Sequence, residues 1–449
     1  MGYGVFMFGF DSMSRMAWLR NLPKSREFYT RDLKGMELTG YNIVGDATVN
    51  NLLPLLTGQS LKDLYSARWD DPYASHVDDF PFIWKSFKSA GYVTAWGEDK
   101  AYGGTFQMRL VGFNSTPTDH SMRPYYVAAE SMYANFLPYC VGSEPRHIRF
   151  LNWFKDVFKM YGRKPKFVFG FHAEFSHDNN NQMKKMDDDL LTYLKYLNTS
   201  GYLDHTILIL MSDHGARIDQ IRGTPQGKLE ERLPYFSFRF PPSFKKSFPE
   251  EFLNFKNNRP RLVTPFDVYE TFHHMLNVRG PPVDHSKNRG TSLFRVIPKT
   301  RTCADVEVKP HFCSCANLKE VKNESMLNRL SNEVVAYINN QTNKVRNLCS
   351  ILSLAEVINI FKYTTHGGTS NQHEPDPASL FQFYQVTFRT SPNDGVYEAT
   401  VKHLVPSDTL VVSDWQISRI NRYGDAAACI EQTFPFLRQF CFCKNNGNT

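Results

Sequence analysis

Asp213 and His214, followed by Gly215, close the stretch HTILILMSDHG that begins at His205. A carboxylate oxygen beside an imidazole nitrogen is a common pair of metal ligands. Thr206, Ile207, Leu208, Ile209, Leu210 and Met211 form a continuous aliphatic run of strand length, as a parallel strand buried on both faces requires. In open α/β sheets ligands bind beyond the carboxyl ends of the strands, so Asp213 and His214 are expected at a ligand crevice. Gly215 would let the chain turn sharply there. The plainer alternative is a loop Asp that caps the next helix beside a surface His.

Other apolar runs end in the same way. Val5 to Phe10 leads into Asp11-Ser-Met-Ser-Arg15, and the run through Trp96 leads into Glu98-Asp99-Lys100. Lys166 to Phe171 opens into His172-Ala-Glu174-Phe-Ser-His177-Asp178, a cluster of potential ligands. Thr48 lies at the polar entry to an apolar helix, where backbone N–H groups and the dipole favour an anion. As an N-cap alone, Thr48 would carry no chemistry.

The elements that must position these residues alternate. Helices are expected from Ser14 to Asn21, Phe150 to Tyr161, Asp187 to Asn198 and Val263 to Leu276, with strands between them. Strands alternating with helices, each strand ending in a polar cluster, predict a doubly wound α/β sheet. Pro241 to Pro260 carries no clear pattern. Past about residue 298 the composition shifts to Cys, Asn, Lys and Thr. The expectation is a catalytic domain over 1–298 and a smaller Cys-rich α+β domain over 299–449.

The 449 residues have ordinary globular composition, 41% hydrophobic and 22% charged, with no membrane-spanning run. A net charge of +7 without a basic tract is too thin to argue for nucleic acid, which is not the expected partner, and suits an anionic substrate equally well. Seven of the eight cysteines, Cys303, Cys313, Cys315, Cys349, Cys429, Cys441 and Cys443, lie in the last third, with Cys140 as a possible eighth partner. The even count reads as a disulfide framework, since no Cys-x-x-Cys pair favours zinc. Sequons at Asn114, Asn198, Asn323 and Asn340 agree with a secreted or lumenal protein. No signal peptide is visible before the first strand, so the chain is either cytosolic or the downstream part of a longer precursor; the second is the expectation, with membrane association only through the missing N-terminal segment.

The spacing from Thr48 to Gly58, TVNNLLPLLTG, resembles the nucleophile segment of the alkaline-phosphatase superfamily. Asp11 before it and Asp213-His214-Gly215 after it complete that pattern in order. Asp11-Ser-x-Ser-Arg15, Leu22-Pro-Lys, Gly45-Asp, Ser176-His-Asp178, Glu230-Glu-Arg-Leu-Pro234 and the Cys-rich tail resemble the family known as domain of unknown function 229.

The resemblance implies an alkaline-phosphatase-type sheet and a metal-dependent hydrolase or phosphotransferase acting on phosphate mono- or diesters. Asp11, Thr48, Asp213 and His214 match one metal site, with Thr48 as nucleophile. Asn51 falls where the phosphodiesterase branch has an Asn touching the transferred group, and Lys228, in a Gly227-Lys228 segment that resembles one of the sulfatase branch, would stabilise the phosphoryl oxygens with it. His177, Glu174 and His172 approximate a second site, so two divalent ions, zinc by analogy, are expected. Glu174 and His177 are three residues apart where the pattern has four; the last histidine could be His273, His274 or His285. An anionic small-molecule, lipid or glycan ester is the expected substrate. The alternatives are a sulfuric-ester hydrolase and a non-catalytic binding protein. Sulfatase chemistry is disfavoured because Thr48, Asn50 and Leu52 stand where its modified Cys or Ser, Pro and Arg belong.

Overall fold

The computed structural model describes residues 2–133, 139–277, 289–364 and 380–444. The chain forms two compact units. The first comprises Met1–Arg68, Tyr73–Ala216 and Gln226–Glu307; the second comprises Val308–Thr449 with the short segments Trp69–Pro72 and Arg217–Pro225.

The first unit is built on seven strands: β1 (Gly4–Phe10), β2 (Met36–Glu37), β3 (Val93–Glu98), β4 (His120–Ser121), β5 (Lys166–His172), β6 (Thr206–Met211) and β7 (Phe236–Arg239). Their order is β2-β7-β6-β1-β5-β3-β4. The four consecutive pairings from β6 to β4 are parallel, β1 with β5 and β6, and β3 with β4 and β5. β7 runs antiparallel to both β6 and β2. Every residue of β1, β5 and β6 is buried, which is why these runs are apolar without alternation.

Helices cover both faces. They include α1 (Arg15–Asn21), α2 (Ala47–Thr57), α3 (Ile83–Ser89), α4 (Arg146–Tyr161), α5 (Asp187–Thr199), α6 (Pro225–Arg232) and α7 (Pro265–Asn277). On one face Phe6 and Phe8 meet Phe154 of α4 at ring separations of 5.5 and 5.8 Å. On the other, Phe167 meets Phe87 of α3 at 4.5 Å and Phe272 of α7 at 5.7 Å. This is the doubly wound, mostly parallel α/β architecture that the resemblance implied. The stretch Pro241 to Pro260 holds two helices, Pro242–Ser247 and Pro249–Asn258, each opened by a proline at its first position.

The second unit is α+β. Strands β8 (Asn317–Glu320), β9 (Ser353–Thr364), β10 (Phe381–Ser391), β11 (Val396–Leu404) and β12 (Thr409–Val411) form an antiparallel sheet in that order, and β13 (Ile417–Arg419) pairs with β11. Helix α8 (Glu324–Gln341) contributes Leu330, Val334 and Ile338 to its core with Val386, Phe388 and Val401. Disulfides Cys349–Cys441 and Cys429–Cys443 lie in this unit, and Cys303 and Cys313 are also disulfide-bonded. Cys140 and Cys315 are free thiols, so the expected pairing of Cys140 does not form. No helix among the described residues is long and apolar enough to cross a membrane.

Candidate metal centre

Four of the predicted residues converge where β1, α2 and β6 meet. Donor atoms of Asp11, Asp213 and His214 lie within 4.8 Å of one another, and all three residues are buried. His214 Nε2 is 3.2 Å from Asp213 Oδ2, 3.8 Å from Asp11 Oδ1 and 3.4 Å from the Thr48 hydroxyl. Zinc bonds of about 2.0–2.2 Å set neighbouring ligands of a tetrahedron about 3.3–3.6 Å apart, which brackets the mean of these spacings.

The hydrogen bonding around the cluster leaves the inward atoms for a cation. His214 Nδ1 lies 2.7 Å from the Gly215 carbonyl oxygen. A carbonyl only accepts, so Nδ1 carries a proton, and in the neutral ring Nε2 presents its lone pair to the cluster. Asp213 Oδ1 accepts from the N–H groups of Ser12 at 3.1 Å and His214 at 2.9 Å, while the buried Oδ2 has no hydrogen-bond partner. Burial raises both Asp11 and Asp213 above the ordinary carboxylate range. For Asp11 the charge of Asp213 raises it further; for Asp213 the Thr48 hydroxyl and backbone N–H groups act in the opposite sense. Two buried carboxylates beside an imidazole are a donor set that a divalent ion fits.

The loops that carry these residues are pinned to one another by the motifs on either side. Ser14 caps α1 by accepting from Ala17 N–H and donates to Glu230 at 2.6 Å. Arg20 makes two bonds to the same Glu230 carboxylate, at 2.8 and 2.7 Å. Arg15 N–H donates to the Leu233 carbonyl, and Ile43 N–H to that of Arg232. The segment Glu230 to Pro234 therefore holds both the Asp11 loop and the approach to Thr48.

Two backbone positions beside the cluster are strained. Ser12 (φ 62°) and Ala47 (φ 65°) are non-glycine residues in the left-handed region, next to Asp11 and Thr48. Such residues cost of order 1–3 kcal/mol each and gather at functional sites. Thr48 is the second residue of α2 and Asp46 occupies the cap position, so Thr48 is not an N-cap.

The remaining candidates divide. Asn51 is buried and fully committed: its amide donates to the carbonyls of Gly45 and Ala47, and its Oδ1 accepts from Val44 N–H. Asn51, expected to touch the transferred group, here ties down the turn before Thr48. Lys228 lies on α6, where its carbonyl accepts from Arg232. Gly215 does not make its turn with a positive φ; a Cβ there would meet the Glu230 carbonyl oxygen at 2.1 Å, so glycine is required by close approach.

The expected second site does not assemble as one group. His177 is half-exposed, lies 2.7 Å from Asp178, and is raised in pKa first by the charge of Asp11. Glu174 and His172 instead gather with Asp99. Burial raises Glu174 to about 7 and lowers His172 to about 4. His273 and His274 stand on α7 and join neither ligand group among the described residues, and His285 lies outside those residues. Asp99 carries the same sequence signal as Asp11 and Asp213, an acid just past a buried strand.

Residues 2–358 match the family described as "Protein of unknown function (DUF229)". No curated protein matches the chain. Among solved structures, the chain is similar to a protein in the alkaline phosphatase superfamily from Vibrio parahaemolyticus, at 13% identity and TM-score 0.45 over 98% of this chain and 85% of that one. It is also similar to a lipoteichoic acid synthase from Listeria monocytogenes, at 12% identity and TM-score 0.46 over 71% and 82%. A third is murine ectonucleotide pyrophosphatase/phosphodiesterase 5, at 13% identity and TM-score 0.39 over 63% and 97%.

Proposed function

The chain belongs to the DUF229 family, and from that premise we propose that it is a metal-dependent hydrolase or phosphotransferase of phosphate mono- or diesters, with Thr48 as nucleophile. The observation that carries this reading is the Thr48 hydroxyl, 3.4 Å from Nε2 of His214 and interacting with the Asp213 carboxylate. Asp11, Asp213 and His214 would hold a divalent ion, zinc or another metal that accepts imidazole and carboxylate. When bound, such an ion lowers the pKa of a hydroxyl and neutralises charge on a phosphoryl oxygen.

The residues of this chain do the rest. Thr48 attacks phosphorus, its oxygen forming the new P–O bond as the alcohol oxygen leaves, and a phosphothreonine results. Water or a second alcohol then takes the phosphoryl from Thr48. The N–H groups that open α2 meet charge on the equatorial oxygens. Lys228 is proposed to add a positive charge there, whereas Asn51 holds the turn that aims Thr48. The six disulfide-bonded cysteines and the exposed side chains of Asn114, Asn198, Asn323 and Asn340 support a secreted or lumenal protein.

The test is elemental analysis of the purified chain together with turnover of a panel of phosphate monoesters, phosphodiesters and a sulfate ester. The reading expects bound divalent metal and metal-dependent release from a phosphate ester. Sulfate-ester turnover alone would move the chemistry to sulfur, and metal-free protein without turnover would leave a binding role.

A further inference from the structure

The C-terminal ends of β3 and β5 bring a second set of donors together. Asp99 follows β3, His172 ends β5, and Glu174 stands two residues further on. One donor atom of each lies within 4.8 Å of the others. Asp99 is 2% exposed and the Glu174 side chain 7%. Arg146 NH1 is 2.9 Å from Glu174 Oε1, and its NH2 donates to the backbone carbonyl of Asp99 at 3.3 Å.

His172 is the independent observation. Its ring is wholly buried, neither nitrogen has a hydrogen-bond partner, and Nε2 lies 3.5 Å from Asp99 Oδ2. That spacing is the ligand–ligand edge expected for bonds of about 2.0–2.2 Å to one tetrahedral ion. The Asp99 carboxylate is held for the purpose: Oδ1 accepts from Ala173 N–H at 2.9 Å and Oδ2 from Glu174 N–H at 2.8 Å. Outer hydrogen bonds of this kind orient a ligating carboxylate and leave lone pairs for a cation.

We propose that Asp99, His172 and Glu174 bind a divalent cation of the zinc or manganese class in a site of their own, separate from the Thr48 centre and without His177. Asp99 is the member that sets it apart, since it joins the end of β3 to a turn 74 residues away. The inference does not require Thr48 to be a nucleophile, so the two readings fail separately.

The test loads the full chain with zinc, and in parallel with manganese, removes loosely held metal by dialysis, and counts ions per chain by elemental analysis. Wild type is expected to hold two. Asp213→Asn should keep one, and so should Asp99→Asn and His172→Gln, while His177→Ala keeps both. Titration of zinc into Asp213→Asn protein should show one remaining site, absent when His172→Gln is added. A single ion in wild type, or a folded Asp213→Asn chain with none, overturns the proposal without reliance on the cluster variants. Loss of the second ion in His177→Ala protein overturns its separateness. Loss of turnover in Thr48→Ala protein bears on the first centre alone.

Discussion

The backbone N–H of Ser12 donates to Oδ1 of Asp213 over 3.1 Å, tying the end of β1 to the end of β6 through a carboxylate whose Oδ2 has no hydrogen-bond partner. Asp213→Asn can keep the accepting oxygen for Ser12 and His214 while removing the charge. The melting temperature should therefore change little, whereas metal affinity should fall on the order of 100-fold or more. Elemental analysis and thermal melting check both, and an Asp213→Asn chain with full metal content at the first centre would contradict the ligand assignment.

Gly215→Ala tests how the Asp213-His214 pair is held. The added Cβ would press on the Glu230 carbonyl oxygen at 2.1 Å, backbone that cannot rotate away. A loss of about 1–3 kcal/mol or more is expected, with weakened metal binding as the loop shifts. Gly223→Ala is the control: nothing lies within 4 Å of its Cβ, and the change should stay within about 0.5 kcal/mol. Equal stabilities in denaturant would contradict the close-approach argument.

Much of this centre was legible in the sequence because its logic is local. β6 spans Thr206–Met211 as the apolar run predicts, and β1 ends directly before Asp11. An acid just beyond a doubly buried strand has few places to go except the ligand edge of the sheet. What could not be read depends on partners far along the chain. Asp99 clamps the turn after β5, and that clamp decides that Glu174 faces Asp99 and His172 while His177 faces Asp11. Asn51 sits one turn into α2, where its side chain bonds back to Gly45 and Ala47; spacing alone does not reveal that. Cysteine pairing was equally closed, since eight cysteines allow too many frameworks for sequence to choose.

The two disulfides of the second unit should contribute unequally. Cys349–Cys441 spans 92 residues and Cys429–Cys443 spans 14. Loop-closure entropy assigns them about 4–5 and about 3 kcal/mol. Replacing Cys349 and Cys441 by Ala should destabilise the unit more than replacing Cys429 and Cys443, as read by urea denaturation. In native protein, Cys140 and Cys315 should alkylate without reductant. The reverse order of stabilities would assign the effect to packing instead of chain entropy.

Lys166 gives a pH dependence of known sign. Its ammonium is buried, donates to the Gly162 carbonyl at 2.7 Å and sits 5.0 Å from the Phe158 ring centre; burial lowers its pKa to about 8. The unfolded chain holds that proton to about 10.4. Below pH 8 both states are charged and the burial penalty is complete; from about 8 to 10.4 the unfolded state binds more protons, so stability rises with pH. Lys166→Met should remove that rise and stabilise the protein at pH 7. An unchanged slope in denaturation curves between pH 8 and 10 would contradict it.

Thr48 decides the central claim. As packing alone, Thr48→Ala would cost stability and leave turnover to whatever folds; as nucleophile, Thr48→Ala should abolish turnover with metal retained, and Thr48→Ser should keep part of it. The direct measurement is acid quenching of the wild-type chain during turnover of a phosphate ester labelled at phosphorus, followed by peptide mapping. The account predicts label on the peptide that carries Thr48 and none in Thr48→Ala protein. Turnover that proceeds in Thr48→Ala protein, with no label on this peptide in wild type, would contradict it.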